Sequence, residues 1–199
     1  MIKTNGIAAS ISESKMVDSS KVYANSRQSS FFHICEECRS VCCKEARPPL
    51  TSERISTIKE YLSKRETDVK KPFKRSGYSF PRETSDGYCI FFDDEAKKCK
   101  IHALKPETCV AGPITFDINV GKGVIEWYLK TEKICKLAGI LSRDDEMLKK
   151  HLKSAKREIN NLLRSLSKEE LLTILTIDEP DTFKIDEDKL DSETLKKLR

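Results

Sequence analysis

The sequence predicts an α+β fold: a small cysteine-rich domain with short strands and a β-hairpin, followed by a C-terminal helical extension. Three observations carry this expectation. All eight cysteines lie between Cys35 and Cys135. Within that span "ITFDINV" alternates at Ile114, Phe116, Ile118 and Val120, and "GKG" then turns into "VIEWYLK", which is a hairpin pattern. Beyond residue 141 the cysteines stop, and Leu148, Leu152, Ala155, Ile159, Leu162 and Leu166 recur at helical spacing.

Taken in order, residues 1–30 are rich in Ser, Asn and Lys without a sustained period and read as a mobile tail. Residues 31–140 form the expected cysteine domain and 141–199 the helical extension. "LTSERISTIKEYLSKRE" opens with Thr51 or Ser52 as N-cap, and Ile55, Ile58 and Leu62 share one helical face. Residues 68–87 hold prolines and glycines without a period and read as a long loop. "YCIFFDD" suits a buried strand and "KCKIHAL" a second short one. Ser142 is the expected N-cap of the long C-terminal helix. Ser167 with Glu170 makes a capping box for a shorter helix behind it.

The chain has 199 residues, with 37 basic and 32 acidic side chains and a net charge of +5. Both signs are interspersed, so no single-sign field tracks a phosphate backbone and no nucleic acid is expected as partner. The first twenty residues lack the apolar core of a signal peptide. No window approaches the ~18 apolar residues of a membrane span. A cytoplasmic location and no membrane association are therefore expected, and reducing conditions there disfavour structural disulfides.

Four of the eight cysteines fall in "CEECRSVCC", with the spacing C-x2-C-x3-C-C for Cys35, Cys38, Cys42 and Cys43. A C-x2-C pair is the common way for a short segment to present two thiolates to a tetrahedral metal. On a helix Cys35, Cys38 and Cys42 fall within about 60° of one another, whereas Cys43 lies about 100° from Cys42. Cys42 and Cys43 are thus expected to serve two centres, or one centre and the core. Cys89, Cys99, Cys109 and Cys135 complete a set of eight, enough for two four-cysteine sites. The competing readings are cysteines buried as small hydrophobes, chiefly Cys135, a purely structural zinc site, and a Cys–Cys redox switch. His102, three residues after Cys99, is either a ligand or a packed neighbour; His33 is a hydrogen-bond donor to a ligand sulfur. His151 falls on the exposed side of the long helix and takes no role. Pro106 fits the first turn of a short helix whose amino end is expected to lower the pKa of Cys109. "FFDDE" at 91–95 reads as a solvated strand end or turn.

These residues carry a resemblance. "CEECRSVCC", then "YCIFFDDEAKKCKIHALKPETCVAGP" and a last cysteine at 135, resembles the YkgJ-type cysteine-cluster family, the zinc- or iron-chelating domain named for its CxxCxxCC-like motif. The likeness covers residues 31–140. The second half of the motif, C-x9-C-x-I-[YH]-x2-[RK]-P-x2-C-x3-P, is met by Cys89, Cys99, Ile101, His102, Lys105, Pro106, Cys109 and Pro113. The resemblance implies cytoplasmic metal binding, as an iron–sulfur cluster or zinc, with Cys35, Cys38, Cys42, Cys43, Cys89, Cys99, Cys109 and Cys135 as ligands. A similar module in flagellin lysine methylases implies an alternative, an iron–sulfur enzyme of redox chemistry or S-adenosylmethionine-dependent methylation of a protein substrate. The radical-SAM spacing C-x3-C-x2-C is absent, and so is a Gly-rich nucleotide loop. A third reading makes the zinc structural and the helical extension the surface for a protein partner.

Overall fold

The structure, a computed structural model, describes residues 34, 41–65, 69–179 and 181–199. Among them are six helices and small antiparallel sheets, an α+β fold with a helical C-terminal part. The N-terminal tail, Cys35 and Cys38 lie outside the described residues.

Helix α1 (Ser52–Lys64) starts at Thr51, whose Oγ1 accepts the Arg54 amide hydrogen at 3.0 Å. It buries Ile58 and Leu62 as the periodicity predicts. The expected loop at 68–87 instead contains a hairpin, β1 (Phe73–Ser76) and β2 (Tyr78–Pro81). Its strands have four residues each, too short to set up a visible period, and Gly77 makes the reversal at φ +75°. Tyr78 and Phe80 point into the core, and the Tyr78 hydroxyl donates to the Arg47 carbonyl at 3.0 Å.

The "YCIFFDD" and "KCKIHAL" segments shrink to two-residue strands, β3 (Phe92–Asp93) and β4 (Lys98–Cys99). Asp93 closes the turn between them, its Oδ1 accepting from the amides of Glu95 at 3.1 Å and Ala96 at 3.0 Å. A short helix α2 (Glu107–Ala111) follows, then the predicted hairpin β5 (Ile114–Asn119) and β6 (Val124–Lys130).

Two expectations beyond residue 140 are corrected. The long helix α4 (Asp145–Ser165) is capped by Asp144, whose side chain accepts from the Met147 amide at 2.9 Å. Ser142 instead closes the preceding helix α3 (Lys136–Leu141), its Oγ donating to the Gly139 carbonyl. The stretch read as all helix also contains β7 (Thr182–Lys189), which pairs antiparallel with β6 and gives a sheet ordered β5–β6–β7. Its largely exposed acidic residues hide the strand pattern; such charges suit an edge. The capping box of Ser167 and Glu170 is formed at α5 (Lys168–Ile174), and α6 (Ser192–Leu198) ends the chain.

Two hydrophobic clusters result. The larger joins β6 (Ile125, Trp127, Leu129) to α4 (Ile159, Leu162, Leu163) and reaches Leu198. Lys156 bridges helix and sheet, its Nζ 2.7 Å from both Asp186 and Asp188, while Trp127 Nε1 donates to Asp188 at 2.8 Å. The smaller cluster, Leu50, Ile58, Leu62, Phe91 and Ile101, lies beneath the cysteine segments.

Candidate metal centre

Backbone pairing brings the distant cysteines together. Val41–Cys43 forms one 3-10 turn. The chain after it is sewn to the segment before β3: the Glu45 amide donates to Gly87 O at 2.7 Å and the Cys89 amide to Cys43 O at 2.9 Å. The Phe92 amide then donates to Cys89 O at 2.8 Å, and Phe92 pairs with Cys99 across the β3–β4 hairpin. Cys109 enters from α2.

Five thiols, those of Cys42, Cys43, Cys89, Cys99 and Cys109, lie close enough to feel one another's charge. Cys42 is exposed and the other four are partly buried. Cys42 and Cys43 are hydrogen-bonded: the bond from Cys43 pulls the Cys42 thiol down to about 6, aided by the charges of Lys105 and Lys130, and pushes Cys43 up. Burial raises Cys89 to about 11, opposed by a hydrogen bond from the Phe91 amide. Burial likewise raises Cys99, opposed by the Ile101 amide. Each sulfur thus accepts an N–H from two residues on, a bond that favours the thiolate form.

Cys109 contradicts the sequence expectation. Its thiol is raised, not lowered, because burial outweighs the Lys105 charge. Helix α2 has only five residues and its N-cap, Pro106, offers no side-chain bond, so its amino end has little field to contribute. A soft cation would displace the protons that these buried thiols retain.

The helix is held by a buried ionic network that sequence reasoning missed. Glu107 accepts from Thr51 Oγ1 at 2.8 Å and pairs with Arg54 at 3.5 Å; Arg54 also reaches Glu158 of α4 at 2.7 Å and the Lys105 carbonyl at 3.1 Å. The signal available was an acid in the first turn after "KP", indistinguishable from an ordinary dipole-favoured Glu.

Of the other predicted residues, Cys135 is the N-cap residue of α3 and packs partly against the larger cluster. His102 sits in a 3-10 turn (His102–Leu104) and is lowered to about 4 by burial and by Lys105, which keeps it neutral. His151 is not on an exposed face: it is partly buried, with Nε2 at 3.1 Å from Ala111 O and 3.0 Å from Gly112 O. With two carbonyls as partners, Nε2 must carry the hydrogen, so His151 ties α4 to the end of α2.

Among the described residues no three Cys, His, Asp or Glu side chains form a closed ligand group. The donor chemistry nonetheless suits zinc or iron: soft sulfurs, amide hydrogens directed at them, and two lysine charges nearby.

Sulfur donors in such surroundings have the chemistry of a metal-binding domain. The chain belongs to the CxxCxxCC family, described as "Putative zinc- or iron-chelating domain", whose model matches residues 34–138. An uncharacterized protein of Methanocaldococcus jannaschii, MJ0661, is 27% identical over 126 residues, covering 61% of this chain and 68% of that protein. No solved structure matches significantly. No helix among the described residues is long and apolar enough to cross a membrane.

Proposed function

We propose that the protein is cytoplasmic and holds an iron–sulfur cluster or zinc through Cys35, Cys38, Cys42, Cys43, Cys89, Cys99, Cys109 and Cys135, divided between two adjoining centres. The observation that supports this reading is the backbone pairing that ties the Cys42–Cys43 turn to Cys89, and Cys89 in turn to the hairpin that holds Cys99. In a 3-10 turn neighbouring side chains diverge by about 120°. Cys42 and Cys43 nevertheless touch through a hydrogen bond, so two centres built on them would adjoin.

In this reading the chain's own residues do three things. The paired backbone of 43–45 and 87–89 fixes the spacing between Cys43 and Cys89. The Phe91 and Ile101 amides hold negative charge on Cys89 and Cys99. The smaller apolar cluster keeps water from their far side. A bound cluster would supply one-electron chemistry, and zinc would supply folding energy. A protein substrate or partner fits either case.

Cys43→Ser tests the division. Loss of about half the bound metal is expected, since one of two four-thiolate centres is removed. Full retention of metal would contradict the assignment of Cys43 to a centre of its own.

A further inference from the structure

Between the C-terminal end of α1 and the β3–β4 hairpin lies a cleft of about 300 Å³, and none of the described cysteines lines it. Buried Leu62 and Phe91 close its floor, and the half-buried Tyr61 and Val69 form its sides. Such a floor offers water no hydrogen-bond partner, so an apolar group that displaces water there gains affinity. Two cations stand at the rim. The guanidinium carbon of Arg65 lies 4.6 Å from the centre of the Tyr61 ring, which holds that long side chain against the cleft. Lys100 follows β4, its amide bonded to the Phe91 carbonyl at 2.8 Å. Both side chains are exposed, and neither has a carboxylate within ion-pair distance among the described residues. The acid in the wall, Asp93, is engaged by the turn: its Oδ1 accepts from the amides of Glu95 and Ala96.

We propose that this cleft binds a small organic anion, a carboxylate on a single aromatic ring or branched chain, with its body against Tyr61 and Phe91 and its charge between Arg65 and Lys100. The charge balance favours an anion, since two cations flank the cleft against one carboxylate that turn amides already share. Size narrows the class. Ligand pockets span about 300–1,000 Å³, and a cleft at the bottom of that range takes one ring but not a dinucleotide. The planar fork of arginine matches a carboxylate through two hydrogen bonds, and lysine adds a point charge. Because the rim is open to solvent, each ion pair contributes little and binding is weak. None of the cysteines takes part, although Cys89 and Cys99 pack on the same small apolar cluster as Phe91.

The test is calorimetric titration of the full chain, as purified, with 3-phenylpropionate and with 3-phenylpropanol, which has the same body without the charge. The acid should bind saturably in the millimolar range, and the alcohol about tenfold more weakly. Arg65→Met and Lys100→Met should each weaken the acid about threefold, and the double variant about tenfold, with the alcohol unaffected. Lys59→Met, the same charge change on α1 but outside the cleft, should bind as the parent does. Should either cleft variant differ from the parent in circular dichroism, Arg65→Gln or Lys100→Gln takes its place. Heats that do not saturate, an alcohol that binds as tightly as the acid, or cleft variants that match Lys59→Met would each overturn the proposal.

Discussion

Chelation of the metal is expected to unfold the cysteine-bearing region while the three-stranded sheet and α4 stay folded. The two parts differ sharply in what else holds them. Five buried apolar side chains form the cluster beneath the cysteines, and the strands there are two residues long. The sheet and helices share twenty-one. A structural zinc site is worth about 10–16 kcal/mol of apparent folding free energy, more than that small cluster could replace. Hydrogen exchange checks this residue by residue. With chelator, the amides of Cys89 and Lys100, bonded to Cys43 O and Phe91 O, should lose protection. Those of Ile125, Trp127 and Leu129 in the central strand should keep theirs. Unchanged protection at Cys89 and Lys100 in metal-free protein would show that the region folds without metal.

Arg54→Met is the substitution expected to cost most stability. It removes the cation from between Glu107, 2% exposed, and Glu158, 9% exposed. Breaking a buried ion pair by deleting one partner costs about 3–5 kcal/mol, because the other charge stays buried and unpaired. Glu107 has little reserve, since its Oε2 already lacks a partner. The network also joins α1, α2 and α4, so loosening it should free the helix that carries Cys109 and speed alkylation of that thiol. Urea unfolding should show the loss as a lowered midpoint, and adding Glu107→Gln to Arg54→Met should restore part of it. A loss under about 1 kcal/mol would mean that solvent reaches the network well enough to screen it.

The elements legible in the sequence were those with long periods or explicit caps. The faces of α1 and α4, the β5–β6 hairpin and the Ser167–Glu170 box all follow from local pattern. What escaped depends on tertiary partners. Strand β7 is acidic and largely exposed, and only its pairing with β6 makes it a strand. Ser142 and Asp144 compete as caps within three residues, and the preceding α3, which Ser142 closes, decided between them. In the site, spacing identified the cysteines but not their protonation. Cys109 was misjudged because burial, invisible in the sequence, exceeds the field of a one-turn helix. Glu107 and Glu158 lie far along the chain from Thr51 and Arg54, and nothing local links them, so their network could be seen only in three dimensions.

The most direct test of the account is to purify the protein anaerobically and measure iron, zinc and acid-labile sulfide per chain, alongside alkylation of its thiols before and after metal removal. The account predicts stoichiometric metal and cysteines that become reactive only once it is stripped. Iron with matching sulfide and a reducible visible chromophore identifies a cluster, and colourless stoichiometric zinc identifies a zinc centre. A folded protein isolated with neither metal, all eight thiols reacting freely, would contradict it.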